Sequence, residues 1–108
     1  MTIKAGDIWL ADIPFTNGRA SKKRPVLVLW LDGLDAVVAV VTSAAPRSAT
    51  DVAIADWQAA KLKVASTVRL SRLDCLEQSL LLRHIGILSA ADSQQVRSVW
   101  DLRVQPQF

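Results

Sequence analysis

Four cations fall within six residues, Arg19, Lys22, Lys23 and Arg24, and stop at Pro25, where the apolar run PVLVLWL begins. An arginine at the mouth of such a run is positioned by the core behind it. A second apolar run, DAVVAVVT, ends in the hydroxyl of Thr42, with Ser43 as a spare hydroxyl beside it. If the LDGLD hairpin pairs the two runs, Arg24 and Thr42 meet at one edge of a sheet. Arginine presents a planar, permanently charged fork that matches phosphate oxygens, and threonine offers a group that both donates and accepts. Together they are suited to hold a phosphodiester. Taken alone, Thr42 reads equally well as a strand-capping hydroxyl.

That pair is enough for one kind of bond breaking. RNA carries its own nucleophile, the 2′-hydroxyl, next to each phosphate, and DNA does not. The protein must align the backbone and neutralise the charge that builds on the phosphorane oxygens. Arg24 suits the second task. A guanidinium is a poor base at neutral pH, with a free pKa above about 12, so proton transfer stays open between Arg24, the Thr42 hydroxyl and water.

Other chemistries lack their residues. There is no Gly-rich phosphate loop, no G-x-S-x-G and no pair of histidines. The lone His84 reads as a surface or partly buried strand residue, or as a ligand contact. Cys75, the one cysteine, can form no internal disulfide, and its neighbours Asp74 and Glu77 disfavour a reactive thiolate. No metal site and no cofactor are expected.

Thirteen basic against ten acidic residues leave a net charge of +3, and its distribution is uneven. The 19–24 segment and the 61–72 segment, with Lys61, Lys63, Arg69 and Arg72 and no acid, are the two basic clusters. Two such clusters suit a polyanion, although solvated faces would look the same. At 108 residues the chain is expected to be one domain, 1–108. Its apolar runs stop far short of the roughly 20 residues of a membrane span. No targeting signal opens MTIKAGDIWLADI, so the expected location is the cytoplasm, away from membranes.

The elements that must carry these residues are mostly strands. DIWLADI alternates Ile8, Leu10 and Asp12 against Trp9, Ala11 and Ile13. Pro14, Asn17 and Gly18 supply turn chemistry, and Pro25 to Leu31 is β-branched with proline at its first position, where a strand tolerates it. Ala36 to Thr42 is the antiparallel return. Asp51 to Ile54 is a short strand candidate, and Asp56 is placed to cap a single helical turn, WQAAKL, with its carboxylate. Ser66 to Leu73 and LLRHIGIL alternate as further strands. Ser89 with Asp92 then opens a helix on which Val96, Val99, Trp100 and Val104 recur. The fold class is mainly β with a C-terminal α-helix: a small, strongly curved antiparallel sheet or partly open barrel.

Five segments in order, GDIWLADIPFT, KKRPVLVL, VVAVVTS, KVASTVRLSRLDCL and LLRHIGILS, resemble the MazF/PemK family of toxins from type II toxin-antitoxin systems over residues 5 to about 100. The resemblance implies an SH3-like, PemK-type barrel and a homodimer. It further implies a sequence-selective, metal-independent endoribonuclease acting on single-stranded RNA, mRNA among it, and silenced by a cognate antitoxin. The family's Arg-Pro arginine falls on Arg24 and its hydroxyl residue after the third strand on Thr42, as the catalytic pair. Arg19, Lys22, Lys23 and Ser43 then become RNA contacts. On the later strand, which opens at Ser66, Arg69 and Arg72 lie where RNA or a partner subunit can pass.

A different class of reading accounts for the same charges: a non-catalytic protein of this fold that grips nucleic acid or a protein target such as gyrase. The tryptophans divide. Trp9 and Trp100 fall in periodic elements and read as core; Trp30, ending a central strand, reads as an interface anchor; Trp57 stays open.

Overall fold

The computed structural model describes residues 2–14 and 20–108. Strands β1 (Asp7–Pro14), β2 (Ser21–Asp32), β3 (Asp35–Thr42), β4 (Asp51–Ala53), β5 (Thr67–Glu77) and β6 (Leu81–Ile87) form one sheet in the order β4-β5-β3-β2-β1-β6, and helix α1 (Ala90–Arg103) follows. Every neighbouring pair is antiparallel. The sheet stays open between β4 and β6, and irregularities in three of its ladders, β1–β6, β2–β3 and β3–β5, bend it. Among the described residues no helix is long and apolar enough to cross a membrane.

The alternation in β1 serves two apolar faces. Ile8 joins Leu27, Ala39, Val41, Val68 and Leu70 under α1, while Trp9, Ala11 and Ile13 join Val26, Val28, Val38 and Val40 on the other side. Strands with both faces covered read as continuous apolar runs, which is why β2 and β3 look as they do. The hairpin between them turns at Gly33, whose φ of +60° is a conformation glycine adopts freely.

Three expectations are corrected. β2 begins at Ser21, not Pro25, because its N-terminal half pairs with β1 through Leu10↔Pro25, Ala11↔Arg24 and Asp12↔Lys23. Proline is tolerated there because the β2–β3 ladder starts one residue later, at Val26. β5 runs on to Glu77, past the expected end at Leu73, since β3 continues to pair with it down to Asp35. The turn after β4 forms, with the Ala60 amide donating to the Asp56 carbonyl, but its start is held from outside: Asp92 of α1 accepts from the amides of Ala55 and Asp56, both at 2.9 Å. Asn17 and Gly18 lie outside the described residues.

α1 begins as its sequence implies. The Ser89 hydroxyl accepts from the Asp92 amide at 3.1 Å, and the helix lays Val96, Val99 and Trp100 onto the core.

Candidate functional site

The β2–β3 ladder runs through Val28↔Val38, Leu27↔Ala39 and Val26↔Val40. Carried two residues further, the same register sets Arg24 opposite Thr42. The β1 partner of Arg24 is the fully buried Ala11, and Thr42 pairs on its other side with buried Thr67 of β5. Both residues therefore sit on backbone held by neighbours across the sheet. The Thr42 Oγ1 accepts from the Ala44 amide at 3.2 Å, which leaves its own proton to donate.

Both residues line a cleft of about 580 Å³ at this end of the strands. Its near lip is Lys22, Lys23 and Arg24 with Thr42 and Ser43; Lys61, Lys63 and Arg83 stand on the rest of the rim, and Leu10, Pro25, Val41, Leu62 and Ile85 supply apolar lining. Among the described residues six cations and no acid line it. With low-dielectric walls, charge of one sign focuses the field into the opening. The +3 of the whole chain thus understates the potential here.

The remaining candidates lie elsewhere. Arg19 is outside the described residues. Arg69 faces Asp51 across the β4–β5 pair, Nε to Oδ1 at 3.5 Å, with that carboxylate almost wholly buried, so its charge is answered inside the fold. Arg72 is exposed on β5, where the β3 ladder skips from Leu73 to Arg69, and does not line the cleft. His84 lies between cleft residues Arg83 and Ile85 but stacks edge-on against Trp9, with ring centroids 5.4 Å apart, and its Nε2 is 3.8 Å from Asp7. Asp7 in turn accepts from the Lys4 amide and from the Trp9 indole. Desolvation, with Asp35, Asp32 and Asp74 nearby, pushes the exposed Cys75 thiol up from its ordinary range.

Lys61, Lys63 and Arg83 were not singled out as site residues by the sequence. The acid-free 61–72 segment marked the first two; nothing local marked Arg83. A second groove, about 440 Å³, runs between α1 and β2, where Trp30 packs edge-on against Trp100 at 5.7 Å. Trp57 packs against the core.

The fold and the cleft define a small antiparallel-sheet protein with a terminal helix and a cationic cleft at the ends of its central strands. The chain belongs to the PemK-like, MazF-like toxin family of type II toxin-antitoxin systems, whose sequence profile matches residues 4–101. No curated protein sequence matches it significantly. Among solved structures it is similar to the Mycobacterium tuberculosis toxin MazF-mt6, at 22% identity and a TM-score of 0.72 over 93% of this chain and 98% of that one. It is also similar to MazF from Deinococcus radiodurans, at 23% identity and 0.71 over 97% and 99%. An endoribonuclease in complex with its cognate antitoxin, from a mycobacterial species, matches at 14% identity and 0.75 over 95% of each chain. These likenesses establish the shared fold.

Proposed function

We propose that the chain is the toxin of a toxin-antitoxin pair and acts as a sequence-selective, metal-independent endoribonuclease on single-stranded RNA. The observation that carries this reading is that Arg24 and Thr42, both at the open end of the β2–β3 hairpin, line one cleft whose charged residues, among those described, are all cations. Single strands are the substrate class because base edges become readable when unstacked.

The substrate 2′-oxygen forms a bond to phosphorus as the bond from phosphorus to the 5′-oxygen breaks. The products are a 2′,3′-cyclic phosphate and a 5′-hydroxyl, and the proton lost by the 2′-hydroxyl is balanced by the one gained at the leaving oxygen. Arg24 stabilises the charge on the phosphorane oxygens. Thr42, whose oxygen already accepts from Ala44, donates its hydroxyl hydrogen to the same phosphate. Lys22, Lys23 and Ser43 hold the adjoining backbone. The mycobacterial endoribonuclease is solved in complex with its cognate antitoxin, which supports a protein partner of that kind for this chain. An acidic, initially disordered segment lying over the near lip would compete with RNA. A homodimer and action in the cytoplasm belong to the same reading.

The test is incubation of the purified protein, with EDTA present, against a long defined RNA and its all-DNA copy, with primer extension to locate cuts. Discrete cuts in RNA alone, absent with Arg24→Ala, support the reading. RNA shifted in a gel without any new 5′-hydroxyl overturns it in favour of a non-catalytic binder.

A further inference from the structure

We infer that Lys61, Lys63 and Arg83 form a second phosphate-binding lip, which positions the RNA strand across the cleft from Arg24 and Thr42. The inference rests on the RNA reading of the cleft and adds three residues to it.

The backbone that carries the two lysines is built with unusual care for an exposed segment. The Leu62 amide donates to the Trp57 carbonyl and the Lys61 amide to the Gln58 carbonyl, each at 3.0 Å, with Lys61 at a φ of +65°. This is the Schellman closure of a helical turn, in which the left-handed position usually belongs to glycine. Lys61 is the one non-glycine at positive φ among the described residues. The start of the turn is clamped by the buried Asp92 carboxylate through Ala55 and Asp56. Its end is seated on β6 at Gly86, where a Cβ would collide with the Ala60 carbonyl.

Among the described residues no ion pair uses the charges of Lys61, Lys63 or Arg83. Lys61 and Lys63 are exposed. All three line the cleft that holds Arg24. Arg83 belongs to β6 and pairs with Leu10, so the β1–β6 ladder carries it to the rim beside the turn. The rim then presents cations from three separate parts of the chain, β2, the turn after β4 and β6, and the apolar Leu10, Val41 and Ile85 share the lining. Cationic rims match backbone phosphates; an apolar floor matches the faces of splayed bases.

The test reads binding apart from cleavage. The probe is a short, fluorescein-labelled, single-stranded 2′-O-methyl RNA of mixed sequence, titrated by anisotropy at several salt concentrations. Each phosphate-paired cation contributes about 0.7 to the slope of log K against log salt on single strands. The double variant K61G/K63Q is therefore expected to lower the slope by about 1.4. Glycine is the favoured residue at positive φ, so this variant keeps its fold, which circular dichroism checks. The double variant K4Q/R103Q removes the same charge away from the cleft and is expected to leave the slope unchanged. R83Q is expected to lower it by about 0.7.

If K61G/K63Q gives the slope of the K4Q/R103Q control, or the wild type binds without a salt-dependent slope, the lip is overturned. Cleavage of the matching unmodified RNA separates the two claims. A wild type that binds with the expected slopes but never cuts keeps the lip and sinks the enzymatic reading. A wild type that cuts while K61G/K63Q keeps its full slope does the reverse.

Discussion

Arg24 and Thr42 each stand two residues beyond the last rung of the β2–β3 ladder, Val26 against Val40, and line the same cleft. The hairpin that joins their strands closes far away, at Gly33, so the pair stands at its open end. There β2 and β3 no longer bond to each other, while β1 still holds Arg24 through Ala11 and β5 still holds Thr42 through Thr67. Two polar groups are thus carried to one cleft on backbone that neighbouring strands hold.

Replacing Arg24 by alanine is expected to reduce RNA cleavage by about 10²- to 10³-fold, the usual effect of deleting one group that stabilises transition-state charge. Arg24→Lys should recover only part of it, since an ammonium lacks the planar fork. Single-turnover rates on one defined RNA measure both. Wild-type activity in Arg24→Ala would remove the catalytic assignment.

Thr42→Ser keeps the hydroxyl and should stay active; Thr42→Val should not. The valine also strips the Ala44 amide of its acceptor, so the loop after β3 is expected to loosen. Comparing the two rates alongside amide exchange at Ala44 separates chemistry from loop order. Equal activity of the two variants would assign Thr42 to strand capping alone.

The Asp92 carboxylate ties α1 to the turn after β4. Asp92→Ala deletes the acceptor for Ala55 and Asp56 in a buried place, and should lower stability by about 1.5–3 kcal/mol in urea unfolding. Ser89→Ala, which removes the cap and the hydroxyl's own bond to the Asp92 carboxylate but keeps the acceptor for Ala55 and Asp56, should cost about 1 kcal/mol. If the two losses are equal, the tie to the turn contributes nothing.

Gly86→Ala forces a methyl against the Ala60 carbonyl, a backbone atom that cannot swing aside. The seat must open, with a destabilisation of about 1–3 kcal/mol. The KM for RNA should rise as the turn carrying Lys61 and Lys63 shifts, although no charge has been removed. A Gly86→Ala protein with unchanged urea midpoint would show that the turn is not seated there.

The Cys75 thiol should alkylate more slowly than a free cysteine at neutral pH. Desolvation first, then Asp35, Asp32 and Asp74, raises its pKa, so less of it is thiolate at a given pH. The iodoacetamide rate should climb later along a pH series than that of a model thiol. Asp35→Asn should move the curve back toward lower pH, and an unmoved curve would discount the aspartate.

Much of this protein is legible in its sequence because the signals are local. The two-sided alternation of β1, the apolar runs and Gly33 of the β2–β3 hairpin, and the Ser89 cap of α1 each depend on residues a few positions apart. Arg24 and Thr42 could be set together from sequence for the same reason: one short hairpin joins their strands. Partners distant in the chain are another matter. Arg24 and Arg69 look alike as cations in apolar strands, yet β4 brings Asp51 to Arg69 and leaves Arg24 to the cleft. Lys61, Lys63 and Arg83 reach the rim only through the β1–β6 pairing, the Asp92 tie and the seat at Gly86. The sequence by itself determined the strands, the hairpin and the pair at its open end, since backbone alternation and turn geometry act at short range. Which other charges meet that pair was decided by the tertiary structure, because strand order and register arise from packing between segments far apart in the chain.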